Sequence, residues 1–283
     1  SSNKSNIIGV IVHDISDDYF SEILKGIESV MYREKYVVNI YNTYRDVKKE
    51  LRAVNMLRAY RADALIFAGG ALLDEDYDKN INTIVEQLKS DGSIIVGVTS
   101  HPFADVNFEI GNLAAAKKIT NYLFGKGHNE IAYLNGPEIL STSYLRFRGF
   151  LQALNEHGCR FNPDLLFSAD FTFEGGRKAA LEIVRKINSI TAVVAANDEM
   201  ALGLIWELKN QGFNVPEDIS VVGIGDIPSA KFCYPPLTTL SLPIYQTGVS
   251  IGRYILKELE GDEDNIIDFN NELVLVERES VLY

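Results

Sequence analysis

The sequence has little cysteine, no long apolar run and no excess of basic charge. Its 283 residues include two cysteines, Cys159 and Cys233, which cannot build a disulfide scaffold or a Cys-x-x-Cys motif for metal or redox chemistry. No apolar run approaches the roughly 20 residues that span a bilayer. These absences argue against a disulfide-stabilised domain and a helical membrane protein. Free thiols are typical of a reducing compartment, so we expect a cytoplasmic protein.

The charge balance of the chain is acidic. It carries 27 lysines and arginines against 39 aspartates and glutamates, which gives a formal net charge of −12. A surface that grips nucleic acid phosphates needs clustered basic side chains, and anionic membranes attract basic segments. The sequence therefore predicts that this chain itself contacts neither DNA nor a membrane.

Catalytic and metal-binding motifs are also missing. The turn after the first apolar run reads His13-Asp14-Ile15-Ser16, which is not the glycine-rich fingerprint of a dinucleotide-binding fold. There is no phosphate loop, no Gly-x-Ser-x-Gly elbow and no His-Glu-x-x-His motif. The four histidines are scattered at 13, 101, 128 and 157, without further ligands at metal-binding spacing. We therefore predict a binding protein without enzyme activity, metal or cofactor.

Short apolar runs alternate with helical periodicity along the chain. Ile7–Val12 is rich in β-branched residues, as in strands that are buried on both faces, and Phe20–Glu34 has apolar residues at helical spacing. Further strands are predicted at 37–41, 64–67, 94–98, 131–134, 165–167, 192–196, 219–224 and 273–276. Further helices are predicted at 48–60, 81–88, 114–124, 148–157, 175–187, 198–211 and 244–260. This alternation predicts an α/β fold with doubly wound parallel sheets.

The alternation restarts near residues 100–112, which predicts two similar subdomains with a ligand cleft between them. We assign residues 1–109 and about 243–268 to the N-terminal subdomain. Residues 110–242 and about 269–283 form the C-terminal subdomain. The acidic runs at 74–78 and 262–264 are predicted to be solvated loops.

Candidate binding residues are those that follow the predicted strands, because ligands of open α/β sheets bind outside the carboxyl ends of the strands. Arginine donates paired hydrogen bonds and aromatic rings stack on flat ligands. The alternatives are purely structural roles: a helix cap for Asn197, core packing for the aromatic residues, and loop capping for Asp14 and His101. The candidates are His13, Asp14, Tyr19, Phe20, Thr99, Ser100, His101, Thr142, Arg146, Phe171, Asn197 and Asp198.

Ordered segments along nearly the whole chain show a family resemblance. They include Arg146-Phe-Arg-Gly-Phe150, Asn197-Asp-Glu-Met-Ala-Leu-Gly203, Val215-Pro-Glu-Asp-Ile-Ser-Val-Val-Gly223 and Pro236-Leu-Thr-Thr-Leu240. In this order and spacing the chain resembles the effector-binding core of LacI/GalR-type bacterial repressors. Periplasmic sugar-binding proteins share the Asn197 segment, but the segments at 215–223 and 236–240 favour the repressor branch.

The resemblance implies a fold, a function and a set of ligand residues. The fold would be periplasmic binding protein-like. The chain would form a homodimer and bind a small effector, such as a sugar or sugar derivative, between its two subdomains. Operator DNA would be bound by an N-terminal helix-turn-helix headpiece that this chain lacks. Arg146 matches the effector-binding arginine, Asn197 the amide and Phe171 the aromatic wall. Tyr19 and Phe20 match the aromatic pair after the first strand.

Two positions depart from the family pattern. Gly225 stands where the family commonly has an aspartate that grips ligand hydroxyls, and Val106 replaces an aspartate before Asn107. These departures put a standard pyranose grip in doubt, and Asp14 or His101 would have to compensate. The sequence does not determine which effector or operator is bound, or whether the effector acts as an inducer or a corepressor.

Two other classes of protein are kept as alternatives. One is an exported solute-binding protein that serves a transporter, and the other is an enzyme of Rossmann type. The missing glycine-rich turn argues against the enzyme.

Overall fold

The computed structural model describes residues 4–261, 269 and 272–282. The chain divides into two compact units, Ser1–Ile110 with Pro243–Asn271 (unit 1) and Gly111–Leu242 with Glu272–Tyr283 (unit 2). The acidic run at 262–264 lies outside the described residues. So do most residues near 268, where the chain is predicted to pass from the N-terminal to the C-terminal subdomain. No described helix is long and apolar enough to cross a membrane.

Strands and helices alternate along both units, and their bounds are as follows. The strands are β1 (Ile7–Val12), β2 (Val37–Asn42), β3 (Ala64–Phe67), β4 (Ile94–Val98), β5 (Val106–Phe108), β6 (Ile131–Asn135), β7 (Leu166–Ser168), β8 (Ala192–Ala195), β9 (Ser220–Gly225), β10 (Thr238–Ser241) and β11 (Val274–Val276). The helices are α1 (Asp18–Met31), α2 (Val47–Ala59), α3 (Glu75–Ser90), α4 (Asn112–Gly125), α5 (Ser141–Glu156), α6 (Phe173–Ile183), α7 (Asp198–Asn210) and α8 (Ile244–Glu260).

Within the described residues, unit 1 contains a parallel five-stranded sheet in the order β2-β1-β3-β4-β5. The side chains of β3 are buried throughout, as expected for a central strand that is covered on both faces. Helices α1 and α8 pack together, as do α2 and α3. The order of strands reverses between β1 and β3, which makes this the switch point of the sheet.

Unit 2 repeats the arrangement. In the part of unit 2 that the structure describes, the sheet has the order β7-β6-β8-β9-β10-β11, and only the β10–β11 pair is antiparallel. Helix α4 packs on α5, and α6 packs on α7. The switch point lies between β6 and β8. The predicted α/β fold with doubly wound parallel sheets is confirmed in each unit.

Several local predictions are corrected by the structure. The acidic run at 74–78 is not a loop, because Asp74 caps α3 and the carboxylates that follow occupy its first turn, where the helix dipole favours negative charge. Helix α5 begins at Ser141, seven residues earlier than the apolar periodicity predicts, since its first turns carry small polar residues. Strands β5 and β10 were not predicted from their short polar sequences.

Close packing of α6 on α7 depends on a glycine. A Cβ atom at Gly203 would overlap the carbonyl oxygen of Phe173, so a side chain there would push the two helices apart. This contact matters for the site because α7 begins directly after Asn197.

A substitution at Gly203 tests this packing. We expect Gly203→Ala to lower the free energy of unfolding by about 1–3 kcal/mol, the usual cost of overpacking. Chemical denaturation measures it. Gly125→Ala is the matched control, because a Cβ atom at that helical position would meet nothing within 4 Å. The control should be neutral or slightly stabilising, and an equal loss in both variants would contradict the packing argument.

Candidate functional site

Polar side chains gather at the carboxyl ends of the strands next to each switch point. In unit 1 His13 follows β1, and in unit 2 Asn135 ends β6 while Asn197 follows β8. The crevice at such a reversal of strand order is the usual ligand position in open α/β sheets. We therefore describe the carboxyl edge of each sheet in turn.

Strained backbone marks the same edges. Non-glycine residues rarely adopt a positive φ, and such strain of about 1–3 kcal/mol per residue concentrates at ligand sites. Three of these residues in the described chain, Asn6, Lys35 and Arg61, lie away from the carboxyl ends. The others follow strands: Tyr44, Arg45, Thr99, Ser100, Phe171 and Asp226.

Arg146 is the central cation of the unit 2 edge. It lies on α5 and is 4% exposed. Its Nε donates a 2.9 Å hydrogen bond to Oδ1 of Asn112, and its Nη1 donates to the carbonyl oxygen of Ala196. The guanidinium thus joins the start of α4 to the end of β8. Five N–H donors in a planar fork allow it to bind ligand oxygens from the same position.

Asn197 and Phe171 are held as a pair. The Asn197 side-chain oxygen accepts from Met200 N at 3.0 Å, which is the predicted N-cap of α7. Its Nδ2 donates to the carbonyl oxygen of Phe171 at 2.9 Å and so holds Phe171 at a φ of 68°. The Asn197 amide therefore has two structural roles, the cap of α7 and the bond to Phe171, and neither prevents a contact with a ligand.

The Phe171 ring lies in a slot beside Gly136. A Cβ atom at Gly136 would overlap this ring and would lie 2.7 Å from Oγ of Ser143. The Ser143 oxygen is buried and has no hydrogen-bond partner among the described residues, and the same holds for Oδ1 of Asn135. Thr142 lies half-buried in the first turn of α5. The candidates Thr142, Arg146, Phe171 and Asn197 thus all lie at this edge.

Asp198 is a buried carboxylate beside the glycines of β9. Its Oδ1 accepts from the Thr239 hydroxyl at 2.6 Å, and its Oδ2 accepts from Ile227 N at 3.0 Å. A side chain on Gly223 would overlap Oδ1, whereas a Cβ atom on Gly225 would lie 3.4 Å from Oδ2. Burial raises the pKa of Asp198 to about 6, although both hydrogen bonds favour the ionised form. Asp198 therefore fixes the loop after β9 through Ile227.

In unit 1, His13 lies in a slot at the switch point. A Cβ atom at Gly69 would come within 2.6 Å of the imidazole, and the ring of Phe20 meets it edge-on with centroids 5.7 Å apart. Burial, with the nearby charges of Arg45 and His101, lowers the pKa of His13 to about 3. The ring is thus neutral at physiological pH and offers one donor and one acceptor.

His101 lies in the loop after β4. Its backbone N–H donates to Oδ1 of Asn107 at 2.9 Å, and Nδ2 of Asn107 donates back to its carbonyl at 2.9 Å. Burial lowers the pKa of His101 to about 3, and its ring packs against Phe67 and Phe103. The ring nitrogen Nδ1 is buried without a hydrogen-bond partner among the described residues.

The remaining unit 1 candidates have structural partners of their own. Oδ1 of Asp14 accepts from the backbone and the hydroxyl of Ser16, which closes a turn. The Tyr19 hydroxyl donates to the carbonyl of Ala68 at 3.1 Å, so Tyr19 links the start of α1 to the end of β3. Phe20 is 4% exposed and packs between His13 and Tyr19. Ligand contact by these residues stays a prediction.

Sequence reasoning missed Glu50 and Tyr77, which are buried beside His13. Glu50 lies in the first turn of α2, and its Oε1 accepts from the Tyr77 hydroxyl at 2.5 Å. A signal was present, because Glu50 falls on the apolar face of α2 with Ala53, Val54 and Leu57. A carboxylate on a buried helical face requires partners.

Among the residues that the structure describes, no group of three or more histidine, cysteine, aspartate or glutamate side chains could hold a metal ion. The unit 2 edge has a buried guanidinium, amides, hydroxyls and an aromatic ring, and the unit 1 edge has neutral imidazoles and aromatic rings. Each set by itself suits contacts with a small polar ligand.

Comparisons with known sequences show which family the chain is similar to. Residues 120–281 match the family described as a periplasmic binding protein-like domain. The HTH-type transcriptional repressor CytR of Escherichia coli (strain K12) is 33% identical over 259 residues, which cover 92% of this chain and 74% of the repressor.

Solved structures agree as well. The transcription regulator CcpA of Lactococcus lactis superposes with a TM-score of 0.84 at 24% identity, over 98% of this chain and 99% of that one. A LacI family transcriptional regulator from Enterococcus faecium with bound ribose superposes with a TM-score of 0.83 at 26% identity, over 97% and 98%. The chain therefore belongs to the LacI family of transcriptional regulators and forms the effector-binding core of such a regulator, with a periplasmic binding protein-like fold.

Proposed function

We propose that this chain senses a small polar effector through the carboxyl edges of its sheets and thereby controls operator binding by the full-length regulator. The observation that carries the proposal is the buried guanidinium of Arg146 at the unit 2 switch point. Its donors meet the Asn112 amide oxygen and the Ala196 carbonyl oxygen there. A fork of donors in that place suits a ligand rich in oxygen.

A sugar or sugar derivative is the effector class that we favour. A solved relative contains bound ribose, and another is a complex of a regulator, CelR, with cellobiose. Gly225 and Val106 remove two acidic side chains that would grip hydroxyls, so the polar groups of His13, His101 and Arg146 would carry more of the recognition.

The chain's role is regulation and not catalysis, and its place is the cytoplasm, where operator DNA lies. The net charge of −12 opposes direct contact of this core with DNA phosphates. A helix-turn-helix segment of the full-length regulator would bind the operator, as the name of the CytR relative indicates for that protein. Exported solute binding is disfavoured by the family match.

A thermal-shift screen tests the effector site. We expect one of D-ribose, cellobiose, ribose 5-phosphate, adenine or glutamine to stabilise the protein, by about 2.7 kcal/mol at 100 times its dissociation constant. Arg146→Lys keeps the charge but loses the planar fork, so most of this gain should disappear.

The control for this screen is Arg148→Ala, because Arg148 is an exposed neighbour on α5. It should keep the full gain. An undiminished gain in Arg146→Lys would show that the effector binds elsewhere.

We further propose that the protein is a homodimer and that the edge of β2 contributes to the interface. β2 is the edge strand of the unit 1 sheet, and exposed apolar side chains line it and the neighbouring helix α2. Such an exposed apolar edge marks an interaction surface. These side chains are Val37, Ile40, Tyr44, Met56 and Tyr60.

Sedimentation velocity tests this interface. We expect the wild type to sediment as a dimer and Ile40→Lys to shift it towards monomer, because a charge would be buried against the partner. Leu181→Lys is the matched control, since Leu181 on α6 is similarly exposed, at 46% against 45% for Ile40. A monomeric wild type would refute the dimer, and a dimeric Ile40→Lys would place the interface elsewhere.

A further inference from the structure

A buried carboxylate oxygen points at His13. Glu50 is 1% exposed, and its Oε1 is held by the Tyr77 hydroxyl. Its other oxygen, Oε2, is buried with no hydrogen-bond partner among the described residues and lies 3.8 Å from Nε2 of His13. This separation exceeds a hydrogen bond, but a small movement of the imidazole closes it. An unpaired buried acceptor favours that movement.

A hydrogen bond at one imidazole nitrogen determines whether the other nitrogen donates or accepts. A neutral imidazole has one N–H and one lone pair, so a hydrogen bond to Nε2 determines whether Nδ1 accepts or donates. Gly69 and Phe20 confine the ring, and its Nε2 faces Glu50, so a hydrogen bond on that side would fix the tautomer and the final orientation of His13.

We propose that Glu50 is a positioning residue for effector recognition, which orients the His13 imidazole and selects its tautomer so that Nδ1 meets a hydroxyl or amino group of the effector. The inference rests on the proposed function, because it assumes that the effector reaches the unit 1 switch point. An ionised Glu50 accepts from Nε2–H and leaves Nδ1 as an acceptor. A protonated Glu50 donates from Oε2 to Nε2, and Nδ1 then carries the hydrogen.

Burial makes both states of Glu50 accessible near neutral pH. It raises the pKa of Glu50 to about 7, although the hydrogen bond from Tyr77 on α3 and the nearby hydroxyl of Thr43 after β2 favour the ionised form. The other titratable or charged groups of the cluster are His13 after β1, Arg45 before α2 and His101 after β4, with Asp78 beside Tyr77. The polarity that His13 presents is therefore linked to pH.

Nitrogen-15 NMR tests the positioning role. In two-bond proton–nitrogen spectra the His13 signals are those missing from His13→Gln. At about pH 8 we expect the Nε2–H tautomer in the wild type and loss of that preference in Glu50→Leu. In Glu50→Gln the amide oxygen accepts the Tyr77 hydrogen bond and the NH2 group faces Nε2 as a donor, so the Nδ1–H tautomer should be favoured, as for protonated Glu50. Glu75→Gln, at an exposed carboxyl in the first turn of α3, should change nothing.

Identical His13 spectra in the wild type and in Glu50→Leu would overturn the proposal. That outcome leaves the proposed function intact, because the function is judged by the response of the thermal-shift screen to Arg146. The effector part is tested with the compounds of that screen, each of which carries hydroxyl or amino groups. A compound that stabilises the wild type should bind Glu50→Leu several-fold more weakly. Equal binding, or no response to any of these compounds, would refute the effector part.

The pH dependence of stability gives a second, ligand-free readout. A carboxyl whose pKa is raised from 4.5 to about 7 by folding contributes stability at low pH and loses it as the pH rises through that window. The melting temperature of Glu50→Gln, relative to the wild type, should therefore increase between about pH 5 and about pH 8. The histidines contribute to both proteins and largely cancel. A constant difference would show that Glu50 does not titrate in this range.

Discussion

A buried guanidinium must find acceptors, and the way Arg146 finds them organises the carboxyl edge of unit 2. Its two structural partners, Asn112 and the Ala196 carbonyl, belong to the start of α4 and the end of β8. Because an unpaired buried charge costs several kcal/mol, these elements and α5 are held in one arrangement. Asn197 and Asp198 follow directly and extend the network to the loops after β7 and β9.

The same requirement acts in unit 1 with weaker groups. His13 and His101 are neutral and buried, and aromatic rings pack against both imidazoles and limit their orientation. Left-handed backbone at Thr99 and Ser100 brings His101 inwards. The carboxyl edge of unit 2 therefore has a buried cation, whereas the edge of unit 1 has two buried neutral imidazoles.

Much of the fold could be predicted because buried parallel strands leave long apolar runs, as at Ile7–Val12. Strands β5 and β10 were not predicted because they are short and partly polar. β5 has three residues and contains Asn107, and β10 has four and contains Thr238 and Thr239. The start of α5 was predicted wrongly for a related reason. Ser141 and Ser143 look like loop residues in sequence, yet tertiary packing buries both.

The candidate site shows the same limit. The rule that ligands bind beyond the carboxyl ends of strands identifies His13, Arg146 and Asn197 from sequence alone. The same rule points to Asp198, which also follows a predicted strand, but Glu50 could not be found that way, because a carboxylate on a helix is normally solvated. The burial of Glu50 follows from its contact with Tyr77, which is far away in the chain.

The double engagement of Asn197 limits the substitutions that this position tolerates. Its oxygen caps α7 and its amide nitrogen holds Phe171 in a left-handed conformation. Replacement by aspartate would keep the cap but lose the donor, and replacement by serine would shorten the reach to Phe171. A change at Asn197 therefore disturbs the start of α7 or the loop after β7, in addition to any effect on ligand binding.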